Sequence, residues 1–151
     1  MWTFDDKGGR PCCLVPEATR LLEEMWLSDW SKREKSLKCF YIARCYRYDR
    51  PQKGRYREFT QIGVEWFGKG VDMSALKRTA KNLLEIFSDN FVFKDNVERG
   101  MSYYEEGLGF EIEAPWLGAQ KQVLGGGKFP SGAGFALGLE RLCLALIEEK
   151  K

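Results

Sequence analysis

The sequence predicts an α+β fold in which an antiparallel β-sheet is flanked by helices. Segments rich in aromatic and branched residues, typical of strands, alternate with segments whose apolar residues recur at helical spacing. Short turns between neighbouring strand-like segments favour antiparallel pairing. The 151 residues contain no internal repeat, low-complexity segment or domain boundary, so we expect a single domain over residues 1–151.

The N-terminal segment predicts a hairpin followed by a helix. Residues 2–4 and 10–15 have strand-like composition, and the glycines between them permit a tight turn. From residue 17 to about residue 30, apolar side chains recur at helical spacing. Pro16 precedes this segment, and because proline suits the first turn of a helix, we expect the helix to begin there.

A long hairpin and a second helix are expected next. Residues 37–49 and 56–67 have the composition of strands and are joined by a basic turn. Asp72 or Ser74 can cap the helix that follows. The apolar face of this helix comprises Leu76, Ala80, Leu83, Leu84 and Phe87.

The remaining sequence predicts short strands and a final helix. Strand-like composition marks residues 91–93, 101–104, 110–113 and 120–124. The three glycines at 125–127 predict a tight bend, and the small residues at 132–138 permit the close approach of a backbone or a ligand. Apolar spacing predicts a helix over residues 139–149.

Composition argues against several classes of function. The net charge is only +2, which disfavours a nucleic-acid binder that relies on bulk charge. The chain has no histidine, which rules out Ser-His-Asp and Cys-His catalysis, and its five cysteines form no CxxC pair, so we expect no zinc site. No apolar run approaches the roughly 20 residues that span a bilayer, and no signal peptide is evident. We therefore expect reduced cysteines and a cytoplasmic location.

The densest chemical signal lies at residues 44–57, which hold six basic residues and one acid. On a strand Arg55 and Arg57 would share one face, and Arg47 would stand across the hairpin. Guanidinium groups match phosphate oxygens with paired donors, and aromatic residues can stack on a base, so this hairpin suits a polyphosphate. A solvated basic hairpin or a nonspecific nucleic-acid patch would explain the same residues.

Two further arginines have distinctive neighbours. Arg99 precedes a glycine and the pair Tyr103 and Tyr104, and Arg141 follows a glycine-rich segment at the start of an apolar helix. An arginine in such a helix is costly unless it has a partner. A helix with one surface-paired arginine would, taken alone, explain the second pattern equally well.

In combination these segments resemble the class II aminoacyl-tRNA synthetases of the histidyl type. Residues 47–59 resemble motif 2, and residues 134–142 resemble motif 3. Residues 99–104 resemble the histidyl-specific RGLDYY segment, and residues 15–19 resemble the loop that holds the amino acid. The matches occur in the family's order over nearly the whole chain, which implies the class II catalytic fold.

The resemblance implies an ATP site on motifs 2 and 3. Its ATP-binding residues are Arg47, Asp49, Arg55, Arg57, Phe59 and Arg141. Phe59 and Arg141 would enclose the adenine ring, and Arg47 would hold the α-phosphate and the substrate carboxylate. Glu140 is implied as a ligand of Mg²⁺.

The resemblance also implies a histidine site. Its amino-acid-binding residues are Glu17, Thr19, Gln61, Glu65, Arg99, Tyr103 and Tyr104. Glu17 and Thr19 would bind the α-amino group, while Glu65 and Tyr104 would contact the imidazole. Arg99 and Arg47 are implied as the catalytic residues, because both would stabilise charge at the α-phosphate.

These roles imply ATP-dependent activation of histidine to histidyl-adenylate, with ATP and Mg²⁺ as cofactors. Transfer to the acceptor end of a tRNA and a homodimer are implied as well. Adenylate formation uses the substrate's own carboxylate as nucleophile, so a chain rich in arginine and without histidine is consistent with it. Two alternatives remain open, a non-catalytic histidine-binding regulatory relative and a catalytic fragment of a longer synthetase.

The sequence also departs from the family's pattern. It contains no counterpart of motif 1, of the insertion domain or of the anticodon-binding domain, so we expect the catalytic fold without them. Asp49 stands in place of the motif 2 glutamate, Thr60 in place of a histidine, and Ser102 in place of the aspartate of RGLDYY. These changes affect the choice of amino acid more than the ATP chemistry.

Overall fold

The computed structural model describes residues 1–98, 104–118 and 120–151. Its strands are β1 (Thr3–Asp5), β2 (Pro11–Cys13), β3 (Ser36–Tyr46), β4 (Glu58–Gly68), β5 (Val92–Asp95), β6 (Phe110–Glu113), β7 (Gln122–Phe129) and β8 (Gly132–Gly138). Its helices are α1 (Thr19–Ser28), α2 (Met73–Glu85) and α3 (Leu139–Glu149), with a short 3-10 turn at Trp30–Lys32.

The strands form a small hairpin and a larger antiparallel sheet. β1 pairs with β2, and the other six strands follow the order β3-β4-β8-β7-β6-β5. The β3-β4 hairpin is in continuous register from Ser36 opposite Gly68 to Tyr46 opposite Glu58. β8 lies between β4 and β7, which places the last strand beside the basic hairpin. The predicted α+β fold is confirmed.

One face of the sheet carries most of the apolar core. Ile62 and Val64 of β4 lie opposite Leu137 and Phe135 of β8, and all four pack in a cluster with apolar residues of α2 and α3. Because side chains alternate between faces of a sheet, these bulky residues fill the helix side. Sheet burial against the two helices therefore supplies the main hydrophobic stabilisation.

The opposite face of the central strands is built from small and polar residues. On β4 this face carries Gln61, Gly63 and Glu65, opposite Gly138, Ala136 and Gly134 of β8. At one end of this face, Trp26 of α1 stacks on Phe67 at a ring distance of 5.6 Å, and this pair packs with Phe129. The small residues beside that cluster leave room for a cleft.

Several element predictions are confirmed. The strand at residues 110–113 and the helix at 139–149 have the predicted bounds. Asp72 caps α2, because its carboxylate accepts hydrogen bonds from the backbone N–H groups of Ser74 at 2.9 Å and Ala75 at 3.0 Å. No helix in the described part of the chain is long and apolar enough to cross a membrane.

One element prediction is wrong. The glycines at 125–127 do not form a bend, because β7 runs through them. A side chain at Gly126 would overlap the Gly134 carbonyl oxygen and the Phe110 ring, so that glycine serves close strand packing. Residues 132–138 form strand β8, and the close approach predicted there is confirmed, because a side chain at Gly132 or Gly134 would overlap the backbone of β4. Of the predicted strand at 101–104, residues 101–103 lie outside the described residues and Tyr104 belongs to no strand.

The first helix begins later than predicted. α1 starts at Thr19 rather than at Pro16, because hydrogen bonds from elsewhere hold the preceding loop. The Pro16 carbonyl oxygen accepts a hydrogen bond from Arg47 Nε at 3.0 Å, and the Ala18 N–H donates to Gln61 Oε1 at 3.2 Å. The loop is thereby tied to the cleft-facing residues instead of joining the helix.

Candidate active site

A cleft of ≈ 300 Å³ lies on the small-residue face of the sheet. It is lined by the loop before α1, the β3-β4 hairpin, strands β7 and β8, and the start of α3. Ten predicted site residues line it: Glu17, Thr19, Arg47, Asp49, Arg55, Phe59, Gln61, Tyr104, Glu140 and Arg141. The fold therefore brings distant segments of the sequence to one cavity.

Four further predicted site residues have to be treated separately. Arg99 and Tyr103 lie outside the described residues. Glu65 is fully buried behind the cleft wall. Arg57 points elsewhere: its guanidinium lies 5.2 Å from the ring centre of Tyr48 and 5.6 Å from that of Trp2.

Arg57 instead ties the N-terminal hairpin to the basic segment. The rings of Trp2 and Tyr48 meet edge to face at 4.8 Å, and Arg57 Nε donates to the Asp49 carbonyl oxygen at 3.1 Å. Cation–π contacts of this kind hold a guanidinium in place without an ion pair. The predicted ATP-binding role of Arg57 remains a prediction, and its present contacts are with protein groups.

The basic end of the cleft is formed by Arg55 and Arg141. Gly54 turns the chain there with a φ of 75°, a conformation that glycine adopts without strain. Arg141 is half-buried and donates from Nη1 to the Gln120 carbonyl oxygen at 2.6 Å. Arg55 Nε pairs with Asp49 Oδ2 at 3.0 Å.

Electrostatics at this end favour an anion. The pKa of Arg141 lies below its ordinary value, because burial disfavours the charged guanidinium and the nearby Arg55 repels it. Two like charges facing one partly desolvated cavity raise the free energy of the empty site. A bound phosphate group would relieve both the desolvation and the repulsion.

Arg47 lines the cleft. Its guanidinium carbon lies 4.9 Å from the ring centre of Phe59, and its Nε donates to the Pro16 carbonyl oxygen. These two contacts fix the side chain from two directions. The terminal nitrogens of the fork can contact a ligand that enters the cleft.

The Glu140 carboxylate is held in place by a backbone N–H group. Both of its carboxylate oxygens lie 2.9 Å from the backbone nitrogen of Thr60, which donates to them across the β4-α3 junction. Within residues 1–98, 104–118 and 120–151, no group of three acidic or cysteine side chains could hold a metal ion. Mg²⁺ needs only one or two carboxylates when phosphate oxygens and water complete its shell. Glu140 therefore fits a magnesium ion that arrives with a phosphate ligand.

The other end of the cleft is a hydrogen-bonded network around Gln61. Its Oε1 accepts from the Ala18 N–H at 3.2 Å and from the Cys45 thiol at 3.5 Å. Thr19 Oγ1 donates to Glu65 Oε1 at 2.6 Å. The loop before α1 and the inner face of β4 therefore form one unit.

Glu65 carries an unusual carboxyl group. Its side chain is fully buried, and Oε2 accepts no hydrogen bond from any residue that the structure describes. The pKa of Glu65 is raised to about 8, mainly by burial; the Thr19 hydrogen bond opposes this shift, and the nearby carboxylates of Glu17 and Glu23 add to it. A side chain at Gly134 would overlap Oε2, so a glycine on β8 is required to accommodate this carboxyl group.

The raised pKa of Glu65 predicts a specific dependence of stability on pH. The folded state keeps the proton up to about pH 8, whereas the unfolded carboxyl loses it near 4.5. Between these values the folded state binds more protons, so the contribution of Glu65 to the free energy of unfolding falls as pH rises, by up to about 1.4 kcal/mol per pH unit. Glu65→Gln removes this dependence, and urea unfolding at pH 5, 6 and 7 measures it.

The control for this measurement is Glu24→Gln, at an exposed position of α1. Wild type should lose stability relative to Glu65→Gln as the pH rises, and it should stay parallel to Glu24→Gln. Parallel pH profiles for all three proteins would show that Glu65 ionises normally in the folded state.

Sequence reasoning missed several residues of the site. Gln120 and Gln122 line the cleft, and the Gln120 carbonyl holds Arg141, although this segment predicted only a strand. Tyr41 contacts Thr19 but belongs to none of the sequence motifs. The one signal for Tyr41 is the glycine opposite it, Gly63, which is small where a strand normally carries a side chain.

The chain is similar in sequence to tRNA synthetases. The family model of the tRNA synthetase class II core domain (G, H, P, S and T) matches residues 2–126. The histidine–tRNA ligase of Archaeoglobus fulgidus is 28% identical over 253 residues, covering 96% of this chain and 61% of the relative. That of Methanocorpusculum labreanum is 38% identical over 127 residues, covering 82% of this chain and 29% of the relative.

A solved structure of PylSc, a pyrrolysyl tRNA synthetase of Desulfitobacterium hafniense, shares the fold. Its TM-score is 0.69 at 21% sequence identity, and the match covers 99% of this chain and 54% of that chain. The chain thus spans 61% and 29% of the two curated relatives and about half of the solved structure.

Proposed function

Because the chain belongs to the family of class II tRNA synthetase core domains, we propose that its cleft binds ATP and histidine side by side and joins them as histidyl-adenylate. Relatives named histidine–tRNA ligase support the choice of amino acid. The observation that carries the proposal is the convergence of Arg47, Arg55 and Arg141 on one cleft with Glu17 and Thr19.

The proposed reaction transfers an adenylyl group and needs no protein base. A carboxylate oxygen of histidine attacks the α-phosphorus of ATP, and a new P–O bond forms. The bond between the α-phosphorus and the bridging oxygen breaks, and pyrophosphate leaves with that electron pair. The carboxylate is already ionised at neutral pH, so the site has only to align the reactants and stabilise the negative charge.

The arginines divide this task along the cleft. Phe59 and Arg141 would enclose the adenine, and the anion-favouring pair Arg55 and Arg141 would hold the outer phosphates. Arg47, held by Phe59 and the Pro16 carbonyl, would reach the α-phosphate. Asp49 orients Arg55 through their ion pair. Its second proposed role is to contact the adenine end of ATP.

Magnesium would accompany ATP in this scheme. When bound, Mg²⁺ would neutralise part of the negative charge on the phosphates. Glu140 is the proposed carboxylate ligand, held in the cleft by the Thr60 N–H. Because Glu140 is held in place by Thr60, it would offer the magnesium ion one carboxylate in a fixed position.

The histidine end rests on the network around Glu65. Glu17 and Thr19 would bind the α-ammonium, with Gln61 beside them in the cleft wall. Glu65 lies behind Thr19, and an imidazole nitrogen would give its buried Oε2 a hydrogen-bond partner, with Tyr104 beside the ring. A site whose buried polar group is satisfied only by one ligand rejects analogues that lack the matching group. Arg99 and Tyr103 keep their proposed roles at the α-phosphate and the imidazole.

The further partner proposed is the acceptor end of a tRNA, reached through the basic hairpin at residues 44–57. This role rests on the resemblance of the hairpin to motif 2 and on its six basic residues. Contacts of this kind bind phosphates and weaken with salt.

The test of the function is histidine-dependent exchange of pyrophosphate into ATP by the purified chain. We expect labelled ATP to form with histidine and Mg²⁺, and not when glutamine replaces histidine, because glutamine lacks the imidazole. Histidine binding without exchange would favour the alternative, a non-catalytic histidine-binding relative. A chain that neither binds histidine nor catalyses the exchange would contradict both functions.

A further inference from the structure

The space above Gly63 is filled by a side chain of the neighbouring strand. Tyr41 of β3 lies opposite Gly63 of β4, and a side chain at Gly63 would overlap the phenol ring of Tyr41. Gln61 and Glu65 flank Gly63 on the same face of β4. The Tyr41 ring therefore lies across the sheet between these two residues, and its hydroxyl ends close to Thr19.

The hydrogen bonds at that point have a defined direction. Thr19 has one hydroxyl hydrogen, which it donates to Glu65 Oε1 at 2.6 Å. The Tyr41 hydroxyl lies 3.5 Å from Thr19 Oγ1, so Tyr41 has to be the donor in this contact. The pKa of Tyr41 lies above its ordinary value, mainly because of burial and then because of the nearby Glu65, which keeps the phenol protonated.

We propose that Tyr41 is a positioning residue of the amino-acid subsite, acting through the hydroxyl of Thr19. Tyr41 donates to Thr19 Oγ1, and the hydroxyl hydrogen of Thr19 stays directed at Glu65. The remaining lone pair of Oγ1 then faces the cleft, where the α-ammonium of the amino acid is proposed to bind. This inference rests on the proposed function, because it assigns a task within that histidine site.

The arrangement explains why an aromatic alcohol stands on this strand. Phenylalanine would fill the same space above Gly63 but would remove the donor to Thr19 Oγ1, so only the hydrogen bond to Glu65 would orient the Thr19 hydroxyl. Tyr41 itself is not among the residues that line the cleft, so it acts on the ligand only through Thr19. Its hydroxyl should therefore influence amino-acid binding and leave ATP binding unaffected.

The test is a double-mutant cycle read by calorimetry. Histidine and ATP are titrated separately into wild type, Tyr41→Phe, Thr19→Val and the double variant. We expect Tyr41→Phe to raise the Kd for histidine by about five-fold, the effect of one neutral hydrogen bond, with the Kd for ATP unchanged. In the Thr19→Val background, Tyr41→Phe should have no further effect, because the hydroxyl through which it acts is absent.

The control is Tyr48→Phe, which removes an exposed hydroxyl and keeps the ring against Trp2. Its Kd for histidine should equal that of wild type. Equal effects of Tyr41→Phe in both backgrounds, or no effect in either, would overturn the inference while wild type still binds histidine. A wild-type chain that binds no histidine would overturn the proposed function and this inference together.

Discussion

Arg47→Ala should lower the rate of histidine-dependent exchange by about 10² to 10³-fold, the effect of removing one donor aimed at a developing oxyanion. The Arg47 guanidinium is held by the Phe59 ring and the Pro16 carbonyl, and it faces the cleft. Because these contacts exist before a ligand arrives, the charge is preorganised for the α-phosphate. Initial exchange rates at saturating ATP and histidine measure the loss.

The matched control for this prediction is Arg44→Ala. Arg44 lies on β3, three residues before Arg47. It is exposed and forms an ion pair with Glu58. Surface ion pairs contribute about 1 kcal/mol or less, so this variant should keep its activity and its melting temperature. A loss of less than ten-fold in Arg47→Ala, or equal losses in both variants, would remove Arg47 from the mechanism.

The local elements of the fold could be predicted because their patterns are short-range. The β3-β4 hairpin, the Asp72 cap and α3 each follow from residues that are neighbours in sequence. The bend predicted at residues 125–127 is wrong because the role of these glycines depends on β8 and β6. Only the folded sheet shows that Gly126 faces the Gly134 carbonyl and the Phe110 ring.

The site was predicted from motif resemblance more than from physical pattern. The contact between Ala18 and Gln61 joins residues 43 positions apart, and that between Thr60 and Glu140 joins residues 80 positions apart. No local periodicity indicates such pairs. The burial of Glu65 cannot be predicted from local sequence for the same reason, because α1, β3 and β8 together form its environment.

The position of Arg57 shows the limit of reasoning from alternation alone. The strand pattern predicted that Arg55 and Arg57 share one face, but β4 begins only at Glu58. Both arginines therefore precede the strand, where no pleat fixes their directions. Arg55 faces the cleft, whereas Arg57 packs on Trp2 and Tyr48.

The second large effect concerns a ligand that joins both halves of the proposed intermediate. A non-hydrolysable sulfamate analogue of histidyl-adenylate carries the histidyl and adenosine groups in one molecule. If the Glu65 end and the Arg141 end of the cleft bind these groups together, the second contact becomes intramolecular once the first has formed. Linking two groups in this way raises affinity by about 10² to 10⁴-fold over either group alone.

Calorimetric titration of this analogue, beside histidine and AMP titrated separately, tests the shared cleft most directly. We predict a Kd for the analogue at least about 10²-fold below that of the tighter single ligand. The glutaminyl analogue should lose most of this gain, because it brings no imidazole to Glu65. A Kd equal to that of AMP or of histidine alone would contradict the account, since the two groups would then not occupy the cleft together.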